Sequence, residues 1–171
     1  MGLFSGSNDY LTGRKPMPTS ESGHAVLAVR FTLAMATGDL DSGDLGPIGK
    51  LPAGHVPVGL YIDGTDMDSS TAALVVQVGL GNLALQDAAG AVSADAKSTL
   101  MSTVAADGGA AWGSSVNTGT DAAFMQQIIG RPMTQVTSVN YDRIIMAKIT
   151  TPPTGAVAGT LGLTLLYRPG P

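Results

Sequence analysis

The sequence predicts a mainly β protein: an antiparallel β-sandwich or jelly-roll-like domain with one or two short helices and an extended N-terminal arm. Three observations carry that expectation. Two long segments near the C-terminus alternate apolar and polar residues with a period of two. A third alternating segment follows the first two dozen residues. Between them lie turn-rich stretches, Thr37 to Pro57 foremost. Successive strand residues face opposite sides of a sheet, so a period of two is the signature of a half-buried strand.

Residues 1–22 read as the arm, and 23–171 as a single β-rich domain. Gly, Ser, Asn, Thr and Pro dominate the arm, Pro16 and Pro18 discourage helix, and Leu3, Phe4, Tyr10 and Leu11 stand as isolated apolar groups. An arm with a few apolar anchors lies along a neighbouring surface; the alternative is a frayed terminus. The first strand is His24 to Met35, with Ala25, Leu27, Val29, Phe31, Leu33 and Met35 on one face and His24, Arg30 and Thr32 on the other. Thr37 to Pro57 is rich in Gly and Pro and reads as turns. Val56 to Asp63 is a short strand, with Val56, Val58, Leu60 and Ile62 sharing a face, and Ala73 to Leu80 is another.

Two helices are expected in the middle. Ser93 or Asp95 caps a segment through Ala105, in which Ala96, Leu100 and Val104 recur every four residues. Thr120 or Asp121 caps the second, with Phe124/Ile128 and Met125/Ile129 as stacked pairs, Gly130 just past its end and Pro132 beyond. A Gly/Ala/Ser loop between them carries the lone tryptophan, Trp112. The chain closes with two strands. Tyr141, Arg143, Ile145, Ala147 and Ile149 share one face of the first; after Thr151–Gly155, Val157, Gly159, Leu161, Leu163, Leu165 and Tyr167 share one face of the second.

Composition narrows function by exclusion. Charged residues make up 13%, about half the usual share in soluble proteins. Either much of the surface meets other protein, or it is simply a neutral Gly/Ala/Thr surface. Net charge is −4. Nine basic residues scattered along the chain form no patch able to displace phosphate counterions, so no nucleic-acid partner is expected. Cysteine is absent, which removes disulfides, zinc–thiolate sites and thiol catalysis together. The N-terminus lacks a secretory signal, and Gly6 stands where a myristoylation motif needs Ser or Thr. No apolar run is long enough for a membrane-spanning helix, so a soluble protein made in a cytoplasm, with no membrane partner, is expected.

No chemistry-bearing motif survives inspection. Gly43 and the Gly49–Lys50 pair enclose one residue too many for a phosphate-binding loop, and Leu51 stands where Ser or Thr would hold magnesium. Asp63, Asp66 and Asp68 resemble a calcium loop, as do Asp39, Asp41 and Asp44. Position 12 of such a loop needs a bidentate Glu, and Leu74 and Lys50 stand there; turn formation is the better reading. The two histidines, His24 and His55, have no third ligand at metal spacing. Gly113–Val116 lacks the second glycine of a nucleophile elbow, and Glu21 is the lone Glu, which disfavours a paired-Glu glycosidase. The expectation is a protein that is not an enzyme and uses no cofactor or metal.

In organisation the chain resembles the small decoration (cement) proteins and related minor head proteins of tailed bacteriophages. The resemblance lies in the polar arm, the Leu51–Val56 turn-to-strand element, and the ending from Gly155 through Leu161 into Leu165–Tyr167. It implies a virion structural protein, made in the host cytoplasm, that binds the outer surface of an icosahedral capsid. Such proteins act as dimers or trimers and clamp neighbouring major capsid subunits. Under that resemblance the capsid or oligomer contacts fall to Leu3, Phe4, Tyr10, Leu11 and Arg14 of the arm, with Trp112 as an interface anchor. Another virion role (tail, neck or coat) and a jelly-roll ligand-binding module are the competing readings.

Overall fold

The computed structural model describes residues 14–18, 25–70, 73–80, 116–117, 124–127, 138 and 140–170. Two four-stranded antiparallel sheets make up the domain. The first runs β1 (Leu27–Met35), β8 (Gly159–Pro169), β3 (His55–Gly64), β6 (Phe124–Gln127) from edge to edge. The second runs β2 (Leu45–Leu51), β7 (Arg143–Thr151), β4 (Val75–Leu80), β5 (Val116–Asn117). Every step along these strands except β4 to β5 crosses from one sheet to the other. That order is the double Greek key of an eight-stranded jelly roll.

The two C-terminal strands are long and adjacent in sequence, yet they do not pair with each other. β7 lies between β2 and β4, while β8 crosses to the other sheet and lies between β1 and β3. Their alternating apolar faces meet in the interior: Ile145, Ala147 and Ile149 from β7, Leu161, Leu163, Leu165 and Tyr167 from β8, all fully buried. Val29, Phe31, Leu33 and Met35 of β1 complete that layer. Fully burying one such large aliphatic side chain contributes about 1.5–3 kcal/mol.

Two prolines sit at register shifts. In β2, an edge strand, the ladder to β7 slips between Pro47 and Gly49; in β3 the ladder to β8 slips between Pro57 and Gly59. Proline cannot donate to a ladder, and an extra residue at a bulge removes the need for it. The second bulge also interrupts side-chain alternation. Val56 and Pro57 are both buried, Val58 is half-exposed, and the buried series resumes at Leu60 and Ile62. Strict alternation would have kept Val58 inward.

Two other expectations are corrected. The stretch Thr37–Pro57, read as turns, contains β2. Its glycines are needed where the sheets approach: a Cβ on Gly49 would lie 2.6 Å from the Phe31 ring, so β2 crosses β1 at a distance that only glycine permits. The second expected helix, starting at Thr120 or Asp121, is overruled at Phe124–Gln127, which form β6 against Tyr61–Gly64. A helix of about ten residues is marginal on its own, and a free sheet edge offers the same backbone a ladder. The only helical turn among the described residues is a 3-10 turn at Thr37–Asp39, where the Asp39 carboxylate accepts the Ala36 N–H at 2.7 Å. The first expected helix, Ser93 to Ala105, lies outside the described residues.

Gly162 has a comparable role on the outer face of the first sheet. Arg30 on β1 and Asp63 on β3 form an ion pair that reaches over the intervening strand β8, and a Cβ on Gly162 would lie 2.6 Å from both side chains. The pair raises the Arg30 pKa, chiefly through the side-chain hydrogen bond to Asp63. Being exposed, it fixes strand alignment more than it adds stability.

Gly49→Val should destabilise the domain by about 1–3 kcal/mol in urea titration, because the new methyls overlap the Phe31 ring. Gly38→Ala is the matched control: no atom lies within 4 Å of its added Cβ, and its stability should stay within about 0.5 kcal/mol of the original.

Candidate interface at the arm end of the sandwich

The strands run between two chemically different ends. One end holds the starts of β1, β3 and β7 and the finishes of β2 and β8. Here the described part of the arm, residues 14–18, meets the domain. The buried Tyr167 hydroxyl donates to the Pro18 carbonyl at 2.7 Å, and Met17 packs, half-buried, against the core. Tyr167 pairs with Leu27 across the ladder, so the arm is tied down beside the origin of β1.

His55 and Arg143 support this anchor. The His55 ring stands edge-on to Tyr167, centroids 5.4 Å apart at 73°. Its Nδ1 lies 2.7 Å from the Ala53 carbonyl, within the turn that Gly54 closes at φ +70°. Arg143 is 3% exposed and donates to the His55 carbonyl at 2.9 Å. Burial pushes the Arg143 pKa down, with Tyr141 acting against it. Beside them, burial would raise the Asp142 carboxyl, but the Lys50 ion pair and the Ala53 N–H (2.8 Å) outweigh it and hold it below the ordinary range. Arg143 shares its strand face with Ile145, Ala147 and Ile149, so its burial was readable from period alone. The Tyr167–Pro18 link was not, because the partners are 149 residues apart.

Of the residues expected to make partner contacts, Arg14 lies exposed at this end. Leu3, Phe4, Tyr10, Leu11 and Trp112 lie outside the described residues. Arg168, which pairs with Val56, is exposed at the same end, and neither Arg14 nor Arg168 has an acidic partner among the described residues.

The opposite end is acidic and hydroxyl-rich. It gathers Asp39, Asp41, Asp44, Asp66 and Asp68 with Thr65, Ser69, Ser70, Thr151 and Thr154. Both aspartate triplets that resemble calcium loops have backbone duties here. Asp66 accepts the Asp68 N–H at 3.0 Å, an Asx turn, and Asp44 accepts the Asp41 N–H at 3.2 Å. Asp68 is fully buried, and its carboxylate receives Ala73 N–H at 2.9 Å, Gly155 N–H at 3.0 Å and the Thr154 hydroxyl at 3.2 Å. Burial alone would raise its pKa, but those donors together hold it far below the carboxylate range. It ties the β3–β4 loop to the β7–β8 crossover, where it also bridges Ala156. Among the described residues no three His, Asp or Glu side chains are placed to share a metal ion. No described helix is long and apolar enough to cross a membrane.

Two four-stranded sheets in this order define the jelly-roll class, whose members range from viral capsid subunits to lectins. Among solved structures the chain is similar to one in the capsid of Ralstonia phage GP4, with TM-score 0.69 and 20% identity over 99% of each chain. It is also similar to one in the cyanophage Pam1 capsid asymmetric unit, with TM-score 0.49 and 15% identity over 91% and 92% of the two chains. At such identities the likeness is one of fold. No protein-family profile and no characterised protein sequence matches the chain.

Two outcomes follow from these anchors. With its folded pKa depressed, Asp68 contributes stability that is complete above the unfolded carboxylate value of about 3.9 and is lost as pH falls toward the folded one. Chemical denaturation across pH 7 to 3 should therefore show wild type weakening in acid, while Asp68→Asn starts less stable at pH 7 and falls less steeply. Tyr167→Phe should cost about 1 kcal/mol. Limited proteolysis should then cleave the variant faster near residues 14–18, with the strands still protected.

Proposed function

We propose that this chain is a non-enzymatic virion structural protein, a minor head protein that sits on the outer surface of an icosahedral phage capsid and clamps neighbouring major capsid subunits. The observation that carries this reading is the fold agreement, over 99% of each chain, with the chain from the Ralstonia phage GP4 capsid. The low charge fraction and the anchored arm agree with it. Its partners are the major capsid protein and further copies of itself, as a dimer or trimer, with no nucleic acid, membrane, cofactor or metal. It is made in the host cytoplasm and ends in the virion.

The mechanism is mass action. A protein that binds only the assembled shell stabilises it by RT ln(1 + [L]/Kd), about 2.7 kcal/mol at a hundredfold excess over Kd. An oligomer that touches several subunits at once gains further avidity without any strong single contact. In this scheme residues 1–22 form the arm and 23–171 the body, and Leu3, Phe4, Tyr10 and Leu11 supply apolar contacts to the shell. The second reading is a coat, neck or tail subunit, which the same likeness favours because a capsid structure also contains its coat chains.

Sedimentation velocity across a concentration series separates the two. A discrete dimer or trimer is expected, and rings or closed shells would establish a self-assembling subunit instead. For the clamp itself, a chain lacking residues 1–13 keeps the Met17 and Pro18 anchors; it should melt as the full chain does but bind undecorated expanded shells more weakly. Unchanged binding would remove the arm from the mechanism.

A further inference from the structure

The outer face of the first sheet is not uniform along the strands. Cross-strand rows can be read from the ladders: Ala28, Leu166 and Gly59 form one row, Arg30, Thr164 and Tyr61 the next, then Thr32, Gly162 and Asp63. Toward the arm end the face is apolar and flat. Val26 is 55% exposed, the highest value among the large apolar side chains of the described residues, Ala28 is exposed, and Leu166 is half-buried against Gly59. Arg168 stands exposed at the rim of this patch, and Arg14 is exposed on the arm segment tied to the same end through Pro18. Arg30, the other cation of the face, is already neutralised by Asp63. At the opposite end the exposed groups are mostly hydroxyls, small residues and the carboxylate of Asp41, with Val157 40% exposed in the crossover between β7 and β8.

We infer that the arm-proximal half of this face and the arm segment 14–18 form one binding footprint, which takes an acidic protein surface, while the aspartate-rich end points away from it. An apolar centre rimmed by arginine is the usual anatomy of a protein-binding patch. Charge selects the partner. The footprint offers two guanidinium groups with no acidic partner among the described residues, whereas a second copy approaching with the same face would bring arginine against arginine. Nucleic acid is disfavoured, because two arginines on a chain of net charge −4 make a weak phosphate track. This orientation rests on the proposed virion role and adds to it which side of the molecule meets the shell.

The absence of cysteine makes the test direct, since each introduced thiol is unique in the chain. Val26→Cys and Ser42→Cys both replace exposed residues, at the arm end and the acidic end respectively. Maleimide labelling of each is followed by mass spectrometry of this chain, free and assembled into purified phage particles. Val26→Cys should label about tenfold more slowly in particles than free, as in the core of an interface. Ser42→Cys should change less than about twofold, as a surface left in solvent does. Arg168→Glu should reduce incorporation and Asp41→Lys should not. Protection of Ser42→Cys with Val26→Cys left open would overturn the orientation and leave the virion role standing. Absence of the chain from particles would overturn both. Concentration-dependent protection of Val26→Cys in the free protein would assign the footprint to a second copy and overturn the acidic-partner inference.

Discussion

The rest of this structure depends on the apolar core that β7 and β8 build together, one from each sheet. Each is an inner strand of its own sheet, and each brings an unbroken series of fully buried apolar residues to the space between the sheets. β1 and β3 are aligned by β8, and β2 and β4 by β7. Both ends of the sandwich inherit their positions from this pair: Tyr167 closes β8 at the arm end, and the Thr151–Ala158 crossover between them carries the partners of Asp68 at the other. A slip of one residue in either strand would turn its buried series outward, so register is strongly specified.

How much of this was legible in the sequence depended on local signal strength. Strand β1 alternates strictly, and in β7 and β8 the faces that period two assigns are buried, although Met146 and Gly162 on the other faces are buried as well. β2 was hidden by Gly46, Pro47 and Gly49, which read as turn residues but serve a bulged edge strand that must pass close over Phe31. Phe124–Gln127 carried credible helix signals upstream and downstream, and pairing with β3 overrode them. Val58 shows a subtler limit: the bulge at Pro57 takes it out of the buried series, although Leu60 and Ile62 stay inward as period two assigns, and no local pattern announces the bulge.

The candidate interface was less legible than the fold for a physical reason. Its apolar and basic members come from the arm, β1 and β8, which are distant in sequence and become neighbours only through the ladders. The aspartates were easy to find, yet their local spacing misdirects toward metal. Asp68 satisfies its carboxylate with backbone donors from two loops, and those donors belong to residues that sequence spacing does not link to it.

Topology also fixes when folding can happen. Because β7 and β8 are the inner strands and come late in the chain, neither sheet can be completed while the chain is still being translated past β4. Until Arg143–Pro169 has emerged, β1 and β3 have no central strand between them, and neither do β2 and β4. Nascent chains therefore expose unpaired apolar strands for most of synthesis, a state that invites pairing with the wrong neighbour. Closure is dominated by contacts far apart in sequence, which makes it slow relative to local folding. A chain with this topology completes its fold in one late step, and partially made chains lack the surfaces that finished ones present.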